Sequence, residues 1–221
     1  MKAKAAAEAN IKFTHVILGD APDVDELAVI ETVDRLNGDD NVHGVLVQLP
    51  LADHIGKAGE RRITESVSPQ KDVDGFHAYN IGLLSSRASD PLFPPCTPAG
   101  ALLLLESTKI DIRGKHAVVL GRSDIVGSPI CAMLRKRDAT VTQCHSRTSN
   151  LPDLVSSVDP RLLYRPVKAV SYAGKASRHT DSSHWTARIC PRALAKAWLH
   201  RDWRWNKCNT RFVLIDLIYS D

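Results

Sequence analysis

The run His116-Ala-Val-Val-Leu-Gly-Arg-Ser-Asp-Ile-Val-Gly-Ser-Pro129 constrains this chain more than any other feature, because it sets an apolar strand directly against the start of a helix. Ala117 to Leu120 is the continuous apolar run that a buried parallel strand needs. Gly121 and Gly127 bracket the turn, and Pro129 falls in the first helical turn, where its missing N–H costs no hydrogen bond. A helix from Ile130 to Arg137 ends on basic residues that suit its negative end, and a second strand, Thr140 to Cys144, follows. The predicted unit is strand, helix, strand. A phosphate over the helix N-terminus would meet free N–H groups and the positive end of the helix dipole. The glycine spacing is G-x5-G rather than G-x-G-x-x-G, so by itself it fits a dinucleotide site and a plain βαβ packing turn equally well.

The end of the second strand sharpens this. Sites for NAD place an Asp or Glu there to bond the ribose hydroxyls, whereas this strand runs into His145-Ser146-Arg147-Thr148. A carboxylate would repel a 2′-phosphate. Arg122 in the first loop, with Ser146 and Arg147 in the second, offers guanidinium and hydroxyl donors to such a phosphate, which favours NADP. A solvated loop carrying ordinary surface arginines is the alternative.

A chain of 221 residues can bury a sizeable core in one or two domains. Its five cysteines, odd in number and without a C-x-x-C pair, argue against a disulfide framework or a zinc site, so no metal is expected. No apolar stretch approaches the length of a membrane span, and no membrane partner is expected. A reduced, cytoplasmic setting fits, with a mitochondrial one left open. Charge is uneven: residues 1 to 158 carry 17 Lys+Arg against 20 Asp+Glu, and residues 159 to 221 carry 12 against 5. All four tryptophans lie in that basic tail, which allows an RNA-binding reading through cations on phosphates and aromatics on bases.

Ahead of the strand–helix–strand unit lies a separate α/β layer. Lys2 to Asn10 is an alanine-rich helix, Thr14 to Leu18 a short strand, and Val24 to Leu36 an amphipathic helix with an Asp-rich start and a stop near Gly38. Val42 to Pro50 is a largely buried strand whose polar residue, Gln48, sits near the C-terminal end, where open α/β sheets place ligand crevices. A polar knot follows at Lys71-Asp-Val-Asp-Gly75. Then Pro95-Cys-Thr-Pro98 leads into a helix from Ala99 to Ser107. Each has a plain reading: a satisfied strand-end amide for Gln48, a turn with an aspartate bonding its own backbone for Asp72 and Asp74, a frayed helix end for Lys2.

Taken together, Val47-Gln48-Leu49-Pro50-Leu51, Lys71-Asp72-Val73-Asp74-Gly75, Pro95-Cys96-Thr97-Pro98, Gly121-Arg122-Ser123 with Ile125-Val126-Gly127, and Cys144-His145-Ser146 occur in the order and spacing of one family. Over residues 1 to about 157 the chain resembles the bifunctional methylenetetrahydrofolate dehydrogenase/methenyltetrahydrofolate cyclohydrolase family, which also forms the N-terminal part of C1-tetrahydrofolate synthases. The resemblance implies an α/β chain. A three-layer tetrahydrofolate-binding catalytic domain over 1–97 would be followed by a partial Rossmann NADP-binding domain over 98–157, in a homodimer. It implies NADP-linked oxidation of 5,10-methylenetetrahydrofolate, then hydrolysis of the methenyl product to 10-formyltetrahydrofolate, in the one-carbon metabolism that serves purine biosynthesis. The family's catalytic lysine matches Lys2, its strand-end glutamine Gln48, and the second aspartate of its loop Asp74. Val47, Gln48, Leu49 and Asp74 would contact substrate, and Gly121, Arg122, Ser123, Ser146 and Arg147 the cofactor. A lysine beside a cationic ligand in a partly desolvated cleft has its pKa lowered toward working pH, and a neighbouring amide can orient it.

The departures are as informative. The family's tyrosine stands four residues before its lysine, a position upstream of Met1, and beyond Ser157 the family pattern stops. Reading the codons of Arg178 to Arg211 one base out of frame turns Trp185, Trp198 and Trp205, all TGG, into glycines that land on family glycines. The tail, 158–221, thus reads as intron-derived and frame-shifted, and its basic composition as a by-product, which removes most of the support for RNA. The chain beyond Ser157 is expected to stay outside the fold and activity to be impaired, leaving a catalytically inactive folate- or subunit-binding fragment as the alternative. Only Phe212 to Ile218 keeps the apolar character of a sheet strand.

Overall fold

The structure, a computed structural model, describes residues 2–21, 24–164 and 211–219. In chain order its elements are α1 (Lys2–Glu8), β1 (Lys12–Ala21), α2 (Glu26–Asn37), β2 (Gly44–Val47), α3 (Gly56–Ser66), α4 (Ala78–Ser85), α5 (Cys96–Ser107), β3 (His116–Leu120), α6 (Gly127–Lys136), β4 (Thr140–Cys144), α7 (Leu151–Ser156), a 3-10 turn (Pro160–Leu162), β5 (Leu163–Tyr164) and β6 (Arg211–Tyr219). The chain is α/β with two parallel sheets, one in each of two compact units. Among the described residues the first unit holds 2–21, 24–83, 89–94 and 211–219, and the second 84–88 and 95–164.

In the first unit the strand order is β1-β6-β2, so β1 and β2 meet only through β6. β6 is parallel to both, with Val213 opposite Thr14 on one side and Val45 on the other. A central parallel strand is covered on both faces and requires an unbroken apolar run. Val213, Leu214 and Ile215 supply one, and all three are buried. Val213 and Ile215 join Val29 and Val33 of α2, Val45 and Val47 of β2 and Ile63 of α3 in the core. Helix α2 starts where Asp25 Oδ1 accepts from the Ala28 N–H at 2.8 Å and closes at Gly38. Arg62 of α3 forks onto the Glu26 carboxylate across the helix pair.

The second unit has the order β4-β3-β5. Alternate residues of β3 feed two separate cores: Ala117 and Val119 pack with Leu102 and Leu105 of α5 and Ile130 and Leu134 of α6, while Val118 and Leu120 pack with Cys144, Val158 and the α7 side chains Leu154 and Val155. Helices therefore cover both faces, which explains the uninterrupted apolar run of β3.

Most elements fall where the sequence places them, and the differences have local causes. Of the strand expected over Val42 to Pro50, Gly44 to Val47 forms β2, and single main-chain bonds from His43 and Gln48 to β6 extend its pairing at either end; Leu49–Pro50 is a cis peptide. The helix expected from Ile130 begins at Gly127, with Pro129 inside its first turn. In the tail, where the sequence predicts poor folding beyond about Ser157 except for the strand-like Phe212 to Ile218, Leu163–Tyr164 pairs with β3 and Arg211–Tyr219 is the central strand of the first sheet. Residues 165–210, which include most of the frame-shifted stretch and all four tryptophans, lie outside the described residues.

Candidate active site

Three of the residues singled out by sequence, Lys2, Gln48 and Asp74, come together in the first unit. Gln48 stands just past the C-terminal end of β2, and its main-chain N–H donates to the Ile215 carbonyl of β6 at 2.9 Å. Its side-chain amide is committed at both ends: Nε2 donates to the Leu49 carbonyl at 2.8 Å, and Oε1 accepts from Lys2 Nζ at 2.5 Å. The amide orientation is thereby fixed with its oxygen toward the ammonium. Helix α1, anchored by the buried Ala6, delivers Lys2. Val47 is buried in the core and Leu49 packs against its edge, so neither has the exposure of Gln48's neighbours Lys2 and Pro50.

The Lys71-Asp72-Val73-Asp74-Gly75 loop divides its polar groups between two tasks. Lys71 Nζ donates to the carbonyls of Leu36, Asn37 and Asp39 at 3.1, 2.7 and 2.9 Å, closing the C-terminal end of α2. Asp72 is buried and accepts from the N–H groups of Phe76 and His77 and from Asn80 Nδ2 at 2.9 Å. These bonds give Asp72 the plain turn role weighed from its sequence. Asp74 differs: it keeps partial exposure, yet burial of its carboxyl pushes its pKa up to about 7, an effect opposed by the Lys2 charge and reinforced by Asp72. Asn80 has no counterpart in the sequence reading. Wholly buried, it ties Pro69, Asp72 and the N–H of Leu92 together and so braces the loop that carries Asp74.

In the second unit, the β3–α6 turn is built on close backbone approach. Gly121 has φ 121°, and its N–H donates to the Cys144 carbonyl at 2.8 Å. A Cβ on Gly127 would lie 2.5 Å from the Gly121 carbonyl oxygen, so only glycine fits there. The anticipated free N–H groups at the helix start are already taken. Ser123 Oγ accepts from the Gly127 N–H at 3.2 Å, the Ser123 carbonyl accepts from Ser128, and Pro129 has no N–H. Ser123 is thus an internal cap of α6, and donors for an anion must come from side chains around the turn. Arg122, Ser146 and Arg147 are exposed at the ends of β3 and β4, the latter two in a turn held by the Thr148 hydroxyl accepting from His145 N–H at 2.8 Å. Among the described residues no cluster of His, Cys, Asp and Glu could hold a metal ion, and no helix is long and apolar enough to cross a membrane.

Two family profiles match the chain: tetrahydrofolate dehydrogenase/cyclohydrolase, catalytic domain, over residues 1–74, and the NAD(P)-binding domain of the same family over residues 95–160. The chain belongs to this family. Relatives include the bifunctional protein FolD of Magnetococcus marinus, 48% identical over 159 residues that make up 72% of this chain and 53% of that one. The mitochondrial C-1-tetrahydrofolate synthase of Schizosaccharomyces pombe is 49% identical over 159 residues, 72% of this chain and 16% of that one. The chain therefore spans about half the length of the FolD relatives and a small part of the synthases. Among solved structures, the bifunctional FolD of Campylobacter jejuni aligns with TM-score 0.60 at 36% identity, covering 69% of this chain and 66% of that one. The FolD of Trypanosoma brucei, complexed with NADP cofactor and inhibitor, aligns with TM-score 0.61 at 27% identity over 71% and 66%. Segment 211–219 lies outside both regions that the tetrahydrofolate dehydrogenase/cyclohydrolase profiles match.

Proposed function

We propose that the chain carries the tetrahydrofolate site of a methylenetetrahydrofolate dehydrogenase/methenyltetrahydrofolate cyclohydrolase, with Lys2, Gln48 and Asp74 as its working residues and Val47 and Leu49 as its floor. The observation that carries this reading is the Lys2–Gln48 hydrogen bond beside Asp74, three polar groups from three separate segments gathered at the C-terminal end of one parallel sheet. Asp74 bonds the amino-pyrimidine edge of the pterin and orients the substrate. Lys2, steadied by the Gln48 oxygen, moves the proton during attack of water on the methenyl carbon. Hydrolysis adds water to that carbon, opens its bond to N5 and leaves the formyl group on N10.

Oxidation of the methylene carbon needs a hydride acceptor, and NADP supplies that chemistry when bound. The Gly121–Gly127 approach seats the start of α6 tightly on the turn, because any side chain at 127 would strike the Gly121 backbone, and leaves cofactor contacts to the side chains around it. Arg122, Ser146 and Arg147 would hold the 2′-phosphate. We place the protein in the cytoplasm as a homodimer; relatives carry cytoplasmic, mitochondrial and chloroplastic designations. The basic-tail RNA reading rests on residues outside those described.

The deciding experiment supplies the purified chain with methylenetetrahydrofolate and NADP and follows NADPH formation, then supplies the methenyl compound and follows its loss. Turnover in both sustains the bifunctional reading. Folate binding without turnover sustains the inactive-fragment alternative. Absence of folate binding overturns both.

A further inference from the structure

Gln48 holds Lys2, and what holds Gln48 comes from far away in the sequence. The Gln48 N–H is bonded to the Ile215 carbonyl, in a segment outside the two regions that the family profiles match. That segment is registered at its other end by Arg211. The Arg211 carbonyl accepts from the His43 N–H at 2.9 Å, its N–H donates to His43 Nδ1 at 3.2 Å, and its guanidinium reaches Thr14 Oγ1 at 3.3 Å and the Asp39 carboxylate at 3.9 Å. Arg211 thus touches β1 at Thr14 and the residues that lead into β2. Between these two ends, Val213 to Ile215 fill the slot between β1 and β2 and are buried. A strand slipped by one residue would exchange its two side-chain faces and carry the Ile215 carbonyl away from Gln48.

We propose that β6 is a positioning element of the site: the Arg211 latch sets the register of the strand, and the Ile215 carbonyl fixes the Gln48 main chain so that its amide oxygen meets Lys2. The inference rests on the reading of Lys2 and Gln48 as a functional pair. It is tested without folate, so its failure is distinct from failure of that reading.

Cys208 allows the full chain to be assembled by ligating residues 1–207 to a synthetic segment 208–221, in which single amides are replaced by esters. An ester in place of the Ile215–Asp216 amide weakens the carbonyl that Gln48 uses. An ester in place of Val213–Leu214 perturbs the same strand farther from Gln48. The probe is the acylation rate of Lys2 by acetic anhydride at neutral pH, since an Nζ held against the Gln48 oxygen must leave that hydrogen bond before it can attack. The expected result is an increase of about threefold or more for the first ester, the scale of one lost hydrogen bond, and none for the second. Gln48→Ala should produce the same increase, and combining it with the first ester should add nothing further. Equal effects of the two esters, or additivity with Gln48→Ala, overturn the proposal. A second measurement needs no ester. In the unmodified chain the Gln48 N–H should exchange slowly, and Arg211→Ala should speed it while leaving the Val45 N–H, which donates to Lys71 at 2.7 Å, unchanged. A Gln48 N–H that exchanges freely in the unmodified chain, or that is indifferent to Arg211→Ala, overturns it as well.

Discussion

Asp74 and Lys2 are the residues whose chemistry can be measured one at a time. Burial holds the Asp74 pKa near 7 in the folded chain, above the ordinary carboxylate value of about 4. Between those values the folded state keeps a proton that the unfolded state has released, so the stability contributed by this group is complete below about pH 4 and is lost as pH rises through about 7. Chemical denaturation across that window should show stability falling with pH, and Asp74→Asn should flatten the profile; an unchanged slope would refute the raised pKa. Lys2→Met should lower cyclohydrolase turnover by about a hundredfold or more, as expected for loss of a general acid–base group, and a variant with normal turnover would remove Lys2 from the mechanism. Gln48 and Asp74 were legible in the sequence because each stands in a compact motif with an unusual residue order. Asn80 was not, since its partners are mostly backbone atoms of distant residues and no motif surrounds it.

At the scale of elements, the β3–α6 joint depends on Gly127. The Cβ of Gly127→Ala would press on backbone atoms of Gly121 and Arg122, which have no flexible end to yield, so a loss of about 1–3 kcal/mol is expected in urea unfolding. Loss of less than half that range would show that the turn gives way. The same joint carries the cofactor prediction: replacing Arg122 and Ser146 with Ala should raise KM for NADP far more than for NAD, and equal effects would dismiss the 2′-phosphate assignment. The joint was readable as strand, turn and helix because its signals are local. The identity of the bonded N–H groups was not, because Ser123 folding back onto Gly127 depends on the turn's conformation rather than on glycine spacing. Phe212 to Ile218 could likewise be recognised as strand-like, but a parallel partner is chosen by register and burial at long range, which no local pattern encodes.

For the whole molecule, the decisive pairing is that of β6 with β1 and β2. Val213→Asp would place a charge at the centre of the first unit's core and should loosen β1 and β2 together; amide exchange that changes in only one of them would show that the sheet does not depend on its middle strand. The partners of Arg211 are 168 and 197 residues earlier in the chain, at His43 and Thr14. On the ribosome, where the chain emerges from its N-terminal end, β1 and β2 are complete long before the strand that joins them exists. Loop closure of that length is slow to search, and two unpaired strand edges meanwhile face water. Synthesis of this protein therefore passes through an interval in which its first unit is open to association with other nascent chains, and holding that unit apart until β6 arrives is work for a chaperone.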